Sequence, residues 1–165
     1  INYITYLEIR CMNGKILTND DITYINGNLI RLVTLDMEHA DIVDNTLKAS
    51  AFRNNKTITN ITLPDTLQIM GAHSVNANLL THITIPASVT KLNDYALSGV
   101  EYATFESSTG PEWTSYMYTD RFPGYVFVEE PYIQAYKTKY PNIKTRIYPK
   151  AVLADDKLTF VKERL

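Results

Sequence analysis

Two stretches decide the fold: Ile58-Thr59-Asn60-Ile61-Thr62-Leu63-Pro64 and Leu80-Thr81-His82-Ile83-Thr84-Ile85-Pro86. They carry matching residue types in the same order, at an offset of 22 positions. The match runs on downstream, pairing Leu67 with Val89, Met70 with Leu92, Ala72 with Asp94 and Val75 with Leu97. A fixed step of this length is the mark of a repeat architecture. Within each copy Ile61 and Leu63, or Ile83 and Ile85, alternate with polar residues, as in a half-buried strand. The proline that follows has no N–H to give and ends the ladder. A compact segment comes next, with apolar residues at Leu47 and Phe52, Met70 and Val75, Leu92 and Leu97. A unit of this size cannot bury its own apolar side, so neighbours must stack with their strands in parallel.

The pattern spreads in both directions. Leu47-Lys-Ala-Ser-Ala51-Phe52 matches Met70-Gly-Ala-His-Ser74-Val75 and Leu92-Asn-Asp-Tyr-Ala96-Leu97. Leu32-Val-Thr-Leu35-Asp-Met37 is an upstream strand, and Val100-Glu-Tyr-Ala103-Thr-Phe105 a downstream one after a two-residue deletion. About three good repeats and one or two worn ones result. In this register, residues 80–97 resemble the BspA-like leucine-rich-repeat family through Leu80, Ile83, Ile85, Pro86, Ser88, Val89, Leu92, Ala96 and Leu97. Residues 58–75 resemble it through Ile58, Ile61, Leu63, Pro64, Leu67, Met70 and Gly71, and Ala51-Phe52 keeps the family's Ala-Phe pair. His73-Ser74-Val75 departs from that pattern, and the family's Gly-Cys step is missing. The resemblance implies an α/β repeat, a right-handed leucine-rich-repeat solenoid of short parallel strands capped at both ends.

Four segments follow: 1–30 as an N-terminal cap, 31–112 as the repeats, 113–149 as a strand-helix cap, and 150–165 as a tail. In the first, Asn13-Gly14 and Asn26-Gly27 are hairpin-turn dipeptides, so the segment reads as an antiparallel cap or a worn repeat, with the cap preferred. In the third, Val126 to Val128 suits a strand, Pro131 a helix start and Pro141 its stop, which places Ile133, Tyr136 and Tyr140 on one face. The tail suits a strand pair, a helix or a linker.

The bulk composition narrows the function. The chain has 165 residues, 45% hydrophobic and 21% charged, with net charge −2. No basic block is present for a nucleic-acid backbone, and no apolar run spans a bilayer. A single cysteine, Cys11, allows no intrachain disulfide and no thiolate zinc site. Six glycines leave little material for a phosphate or dinucleotide loop, and no Gly-x-Ser-x-Gly elbow occurs. The three histidines lack close metal-ligand spacing, and no cofactor is expected. Ile1 in place of a methionine suits a mature form behind a removed leader.

Three surface features are candidates. Stacked strands would align Thr34, Asn60, His82 and Tyr102 in one outward column, and Asp36, Thr62, Thr84 and Thr104 in the next. These residues are a ligand face or simply exposed strand residues. Trp113, Tyr116, Tyr118 and Phe122 form an aromatic loop that stacks on a ligand or packs down a long connection. Asp36, Glu38, Asp41 and Asp44 are a solvated turn or a weak cation site.

The expectation is a non-enzymatic module that binds a protein or glycan. From the resemblance alone, it sits at a bacterial cell surface, in the periplasm or outside the cell. A structural spacer predicts instead a flat apolar patch at an open end. An acidic-cleft hydrolase predicts a deep pocket holding two carboxylates.

Overall fold

The computed structural model describes residues 3–114 and 123–150. The short strands form two parallel ladders, the first broken into two sheets, and from the second strand to the tenth the chain visits them alternately. One ladder holds β1 (Tyr6–Glu8), β2 (Thr34–Asp36), β4 (Asn60–Thr62), β6 (His82–Ile85), β8 (Tyr102–Phe105), β10 (Tyr125–Val128) and β11 (Ile147–Pro149). The other holds β3 (Thr46–Leu47), β5 (Ile69–Met70), β7 (Lys91–Leu92) and β9 (Glu112–Trp113). Every strand pair is parallel, with Leu35 opposite Ile61, Ile83 opposite Ala103 and Met70 opposite Leu92. This is a repeat fold of short parallel strands.

The alternation along each strand fixes what is buried. Leu35, Ile61, Ile83, Ile85 and Ala103 point inward and join Leu47, Met70 and Leu92 from the second ladder in one core. Phe52, Val75 and Leu97 close that core from the connecting turns. The turns are stitched by backbone as well. Ser50 N–H donates to Ala72 O (2.8 Å), Phe52 N–H to Ser74 O (2.8 Å) and Val75 N–H to Ala96 O (3.2 Å).

Each turn bends at an equivalent left-handed residue: Ser50 (φ 57°), His73 (φ 54°) and Tyr95 (φ 57°). Such a φ is uncommon outside glycine. Its recurrence at matched positions makes it a property of the repeat. The His73 and Tyr95 rings stack, with centroids 4.9 Å apart.

The N-terminal segment differs from the preferred antiparallel cap. β1 pairs in parallel with β2, Tyr6 opposite Thr34, as the repeat strands do and an antiparallel hairpin would not. Asn13 and Gly14 do take left-handed turn angles (φ 56° and 70°), but the residues flanking them pair sideways with the next repeat. Ile9 N–H donates to Asp36 O and Leu17 N–H to Asp41 O. Asn26-Gly27 lies inside helix α1 (Asn19–Asn28), started by a capping box in which Thr18 and Asp21 bond reciprocally. Burial of Ile22 and Ile25 on the repeat core outweighs the local turn preference. Near the other end, α2 (Ile133–Lys139) buries Tyr136, and its capping residue Tyr140 is buried too. Residues 151–165 lie outside the described residues.

Gly71 tests how closely the repeats approach. A Cβ there would lie 2.5 Å from Ala49 N and 2.7 Å from Leu47 O, backbone atoms of the preceding repeat. Gly71→Ala should therefore cost about 2–3 kcal/mol through forced separation of the two repeats. Gly27, in α1, has nothing within 4 Å of its added Cβ. Gly27→Ala should be neutral or stabilising by up to about 1 kcal/mol. Urea-unfolding midpoints of the two variants check the contrast.

Candidate functional site

The register turns sequence columns into a surface. Thr34 lies opposite Asn60 and Asp36 opposite Thr62, while His82 lies opposite Tyr102 and Thr84 opposite Thr104. Asn60, Thr62 and His82 are exposed, and Thr34, Asp36, Thr84 and Tyr102 are half-buried. Thr104 is the odd member, buried and bonded through its hydroxyl to His82 Nε2 at 3.1 Å.

The columns do not run unbroken. β4 and β6 are consecutive strands of the same ladder, yet no ladder hydrogen bonds join them. The second ladder stays paired at this junction, with Ile69 opposite Lys91, and Val75 N–H still reaches Ala96 O. The opening is thus confined to the strand face. It forms a groove of about 240 Å³ lined by Asn60, Thr62, His82 and Thr84, with Glu38, Asp65 and Glu106 also on its walls.

Beyond β8 the face becomes aromatic. Tyr125 lies opposite Tyr102 and Phe127 opposite Thr104, and Tyr148 follows on β11. The Tyr102 and Tyr125 rings stack with centroids 5.6 Å apart and planes 17° apart. Tyr148 tilts against Tyr125 at 5.8 Å and against Phe127 at 6.2 Å. Sequence reasoning missed Tyr125, Phe127 and Tyr148 as members of this face. Their signal was present in the alternation of Tyr125 and Phe127 with the buried Val126 and Val128.

Trp113 is not beside these residues. It lies in β9 on the second ladder, its ring stacked on Tyr140 (centroids 3.8 Å apart, planes 6° apart) and tilted onto Phe105. Tyr116, Tyr118 and Phe122 lie outside the described residues. Of the acidic set, Asp36 accepts a hydrogen bond from Glu38 N–H (3.0 Å). A different trio, Glu38, His39 and Asp65, brings ligand-type atoms within 4.8 Å of one another, all on exposed side chains.

A sequence model described as the BspA-type leucine-rich repeat region, in six copies, matches residues 15–121. The chain belongs to this BspA-type repeat family. The BspA-type match reaches beyond residues 51–97, which carry the sequence resemblance, and takes in α1 and β9. Such leucine-rich repeats are typically non-enzymatic and suggest a protein-binding or surface module. No curated protein matches the sequence. Among the described residues, no helix is long and apolar enough to cross a membrane.

His82 is a titrating group on this BspA-type face, with its ring against Thr104. Desolvation of its ring lowers the pKa from the ordinary value of 6.5. The folded state thus binds that proton less well than the unfolded chain, and stability falls as pH drops below about 6.5 toward the depressed value. A histidine NMR titration should place the His82 inflection below 6.5. His82→Gln should flatten the dependence of Tm on pH in that window. An inflection at or above 6.5 would contradict the assignment.

Proposed function

We propose that the chain is a non-enzymatic binding module, a right-handed solenoid segment that offers its strand face to a protein or glycan outside the cytoplasm. The observation that carries this is the face itself. Aligned polar columns lead from an open groove into a cluster of ordered aromatic rings. Right-handed winding follows the near-universal hand of parallel strand crossovers. α2 and its tyrosines would serve as the C-terminal cap. A surface or periplasmic location rests on the family.

Two features support a protein partner over a glycan. Tyr102 and Tyr125 turn their ring faces toward each other, which leaves edges and hydroxyls for contact instead of flat platforms for sugars. The face also mixes anchoring aromatics with a polar groove, as protein interfaces do. The hydrolase alternative gains little support. Glu38, Asp65 and Glu106 stand exposed at an open groove, where a cleft acid would be sequestered.

The test is binding of the chain to panels of extracellular proteins and of glycans, repeated with the double variant Tyr102→Ala/Tyr125→Ala. Both side chains are half-buried on the outer face. The double variant should keep the circular dichroism spectrum while its affinity falls at least tenfold, since hot-spot aromatics typically contribute 2 kcal/mol or more. Undiminished binding would move the site to another surface. Failure of the wild type to bind any member of either panel would count against the module.

A second reading, the structural spacer, is favoured by one observation. Among the described residues, eight of the nine exposed large hydrophobics fall within residues 3–33, including Tyr3, Tyr6, Met12, Ile16, Tyr24 and Ile30. β1 is also the outer strand of its sheet. Another unit of parallel strands stacked there would cover both. If so, sedimentation velocity should show self-association that rises with concentration and disappears in Tyr6→Lys/Ile30→Lys. A monomer at every concentration would remove the support that this patch lends.

A further inference from the structure

The gap between β4 and β6 has a chemistry of its own. In a parallel ladder, alternate residues direct their N–H and C=O groups to one neighbour and the residues between them to the other. On β4, Asn60 N–H donates to Val33 O (3.2 Å) and Thr62 O accepts from Met37 N–H (3.0 Å). Asn60 and Thr62 are thus committed to β2, and Ile61 is directed at β6. On β6, Thr81 O accepts from Tyr102 N–H (2.9 Å) and Ile85 O from Glu106 N–H (3.1 Å). The odd-numbered residues are committed to β8, and the backbone groups of His82 and Thr84 are directed at β4. Because β4 and β6 are unpaired, these groups line the groove without a ladder partner. Unpaired strand groups are templates for an incoming chain.

The groove is also one-signed. Its lining includes Glu38, Asp65 and Glu106 and no lysine or arginine. None of the three carboxylates has an ion-pair partner among the described residues. At about 240 Å³ it lies below the 300–1,000 Å³ usual for small-molecule pockets, so its size suits one side chain better than a whole ligand.

We infer that the β4–β6 groove receives an arginine or lysine side chain from an extended segment of a protein partner. The cationic head donates to the free carbonyls and to the Glu38 and Asp65 carboxylates, and the segment's backbone lies across the mouth. This rests on the strand face being the binding face, and it names the chemistry of the partner. Arginine is expected to exceed lysine, because its planar donors reach two acceptors at once.

The test uses the full chain and three capped pentapeptides, Thr-Arg-Thr-Arg-Thr and its glutamine and glutamate counterparts, followed by amide NMR. The arginine peptide should shift Ile61, His82 and Thr84, and its binding should weaken as salt rises. Glu38→Gln/Asp65→Asn should weaken it at least fivefold, while Glu130→Gln, away from the groove, should not. Equal shifts from all three peptides would overturn the charge argument. Shifts confined to Tyr102, Tyr125 and Tyr148 would overturn the groove assignment while leaving the binding face intact. Shifts of the groove amides by calcium or zinc alone, with none from the peptides, would make it a cation site and overturn the proposal. No shift from any peptide would overturn it too, and the protein and glycan panels would then judge the binding face separately.

Discussion

The structure depends on backbone hydrogen bonds between one repeat and the next. Each turn is too short to bury its own apolar residues, so it must borrow cover from its neighbours. Parallel pairing delivers that cover at one fixed register. With Leu35 on Ile61 and Met70 on Leu92, every inward position meets its counterpart. The same constraint explains Gly71, where the preceding backbone comes too close for a Cβ. It also explains the left-handed turn at Ser50, His73 and Tyr95, since a bend forced on one repeat is forced on all that stack in register. His73, a free histidine in the sequence, is thereby drawn into a ring stack along the repeat direction.

A register that fixes the core also fixes the surface. Outward residues of successive strands become neighbours whether or not any function requires it, which is why columns alone prove little. The strand face departs from this passive outcome in two places. One is the break between β4 and β6, where the second ladder and the turns remain bonded, so the stack holds while one face opens. The other is the change from polar to aromatic residues on β8, β10 and β11. Neither is needed for stacking, since the buried positions are filled independently by Ile83, Ala103 and Val126. Solvent-facing strand groups and half-exposed rings are what the proposed binding face offers a partner.

The repeat was legible because its signal is redundant: alternation, proline and turn recur at a constant step. Even the pairing of His82 with Tyr102 followed from alignment across a deletion. What was hidden depended on contacts that cannot be reached by counting. The Asn-Gly dipeptides carry a real turn preference, yet Leu17 and the strand at Tyr6 find their partners in the following repeat. Tyr125, Phe127 and Tyr148 escaped notice because a long connection separates β8 from β10 and breaks the count. Thr104 reads as an outward residue and is nonetheless covered, because His82 leans over it. The open groove leaves no trace in composition, since the residues flanking it are ordinary repeat residues.

The abundance of tyrosine has a physical explanation at the ends of the stack. A terminal repeat must cover apolar surface while reaching polar groups at the edge, and a ring bearing a hydroxyl does both. Toward the C-terminal end, Tyr136 fills the core against Phe105 and donates to Ser107 O at 2.8 Å, and Tyr140 donates to Pro111 O. Burial raises the Tyr136 pKa, so its proton and that bond persist across the ordinary pH range. These two donors anchor the stretch after β8, and their rings close the core below it. At the N-terminal end Tyr3 and Tyr24 stand exposed instead. One residue type is thus buried around α2 and exposed around β1 and α1.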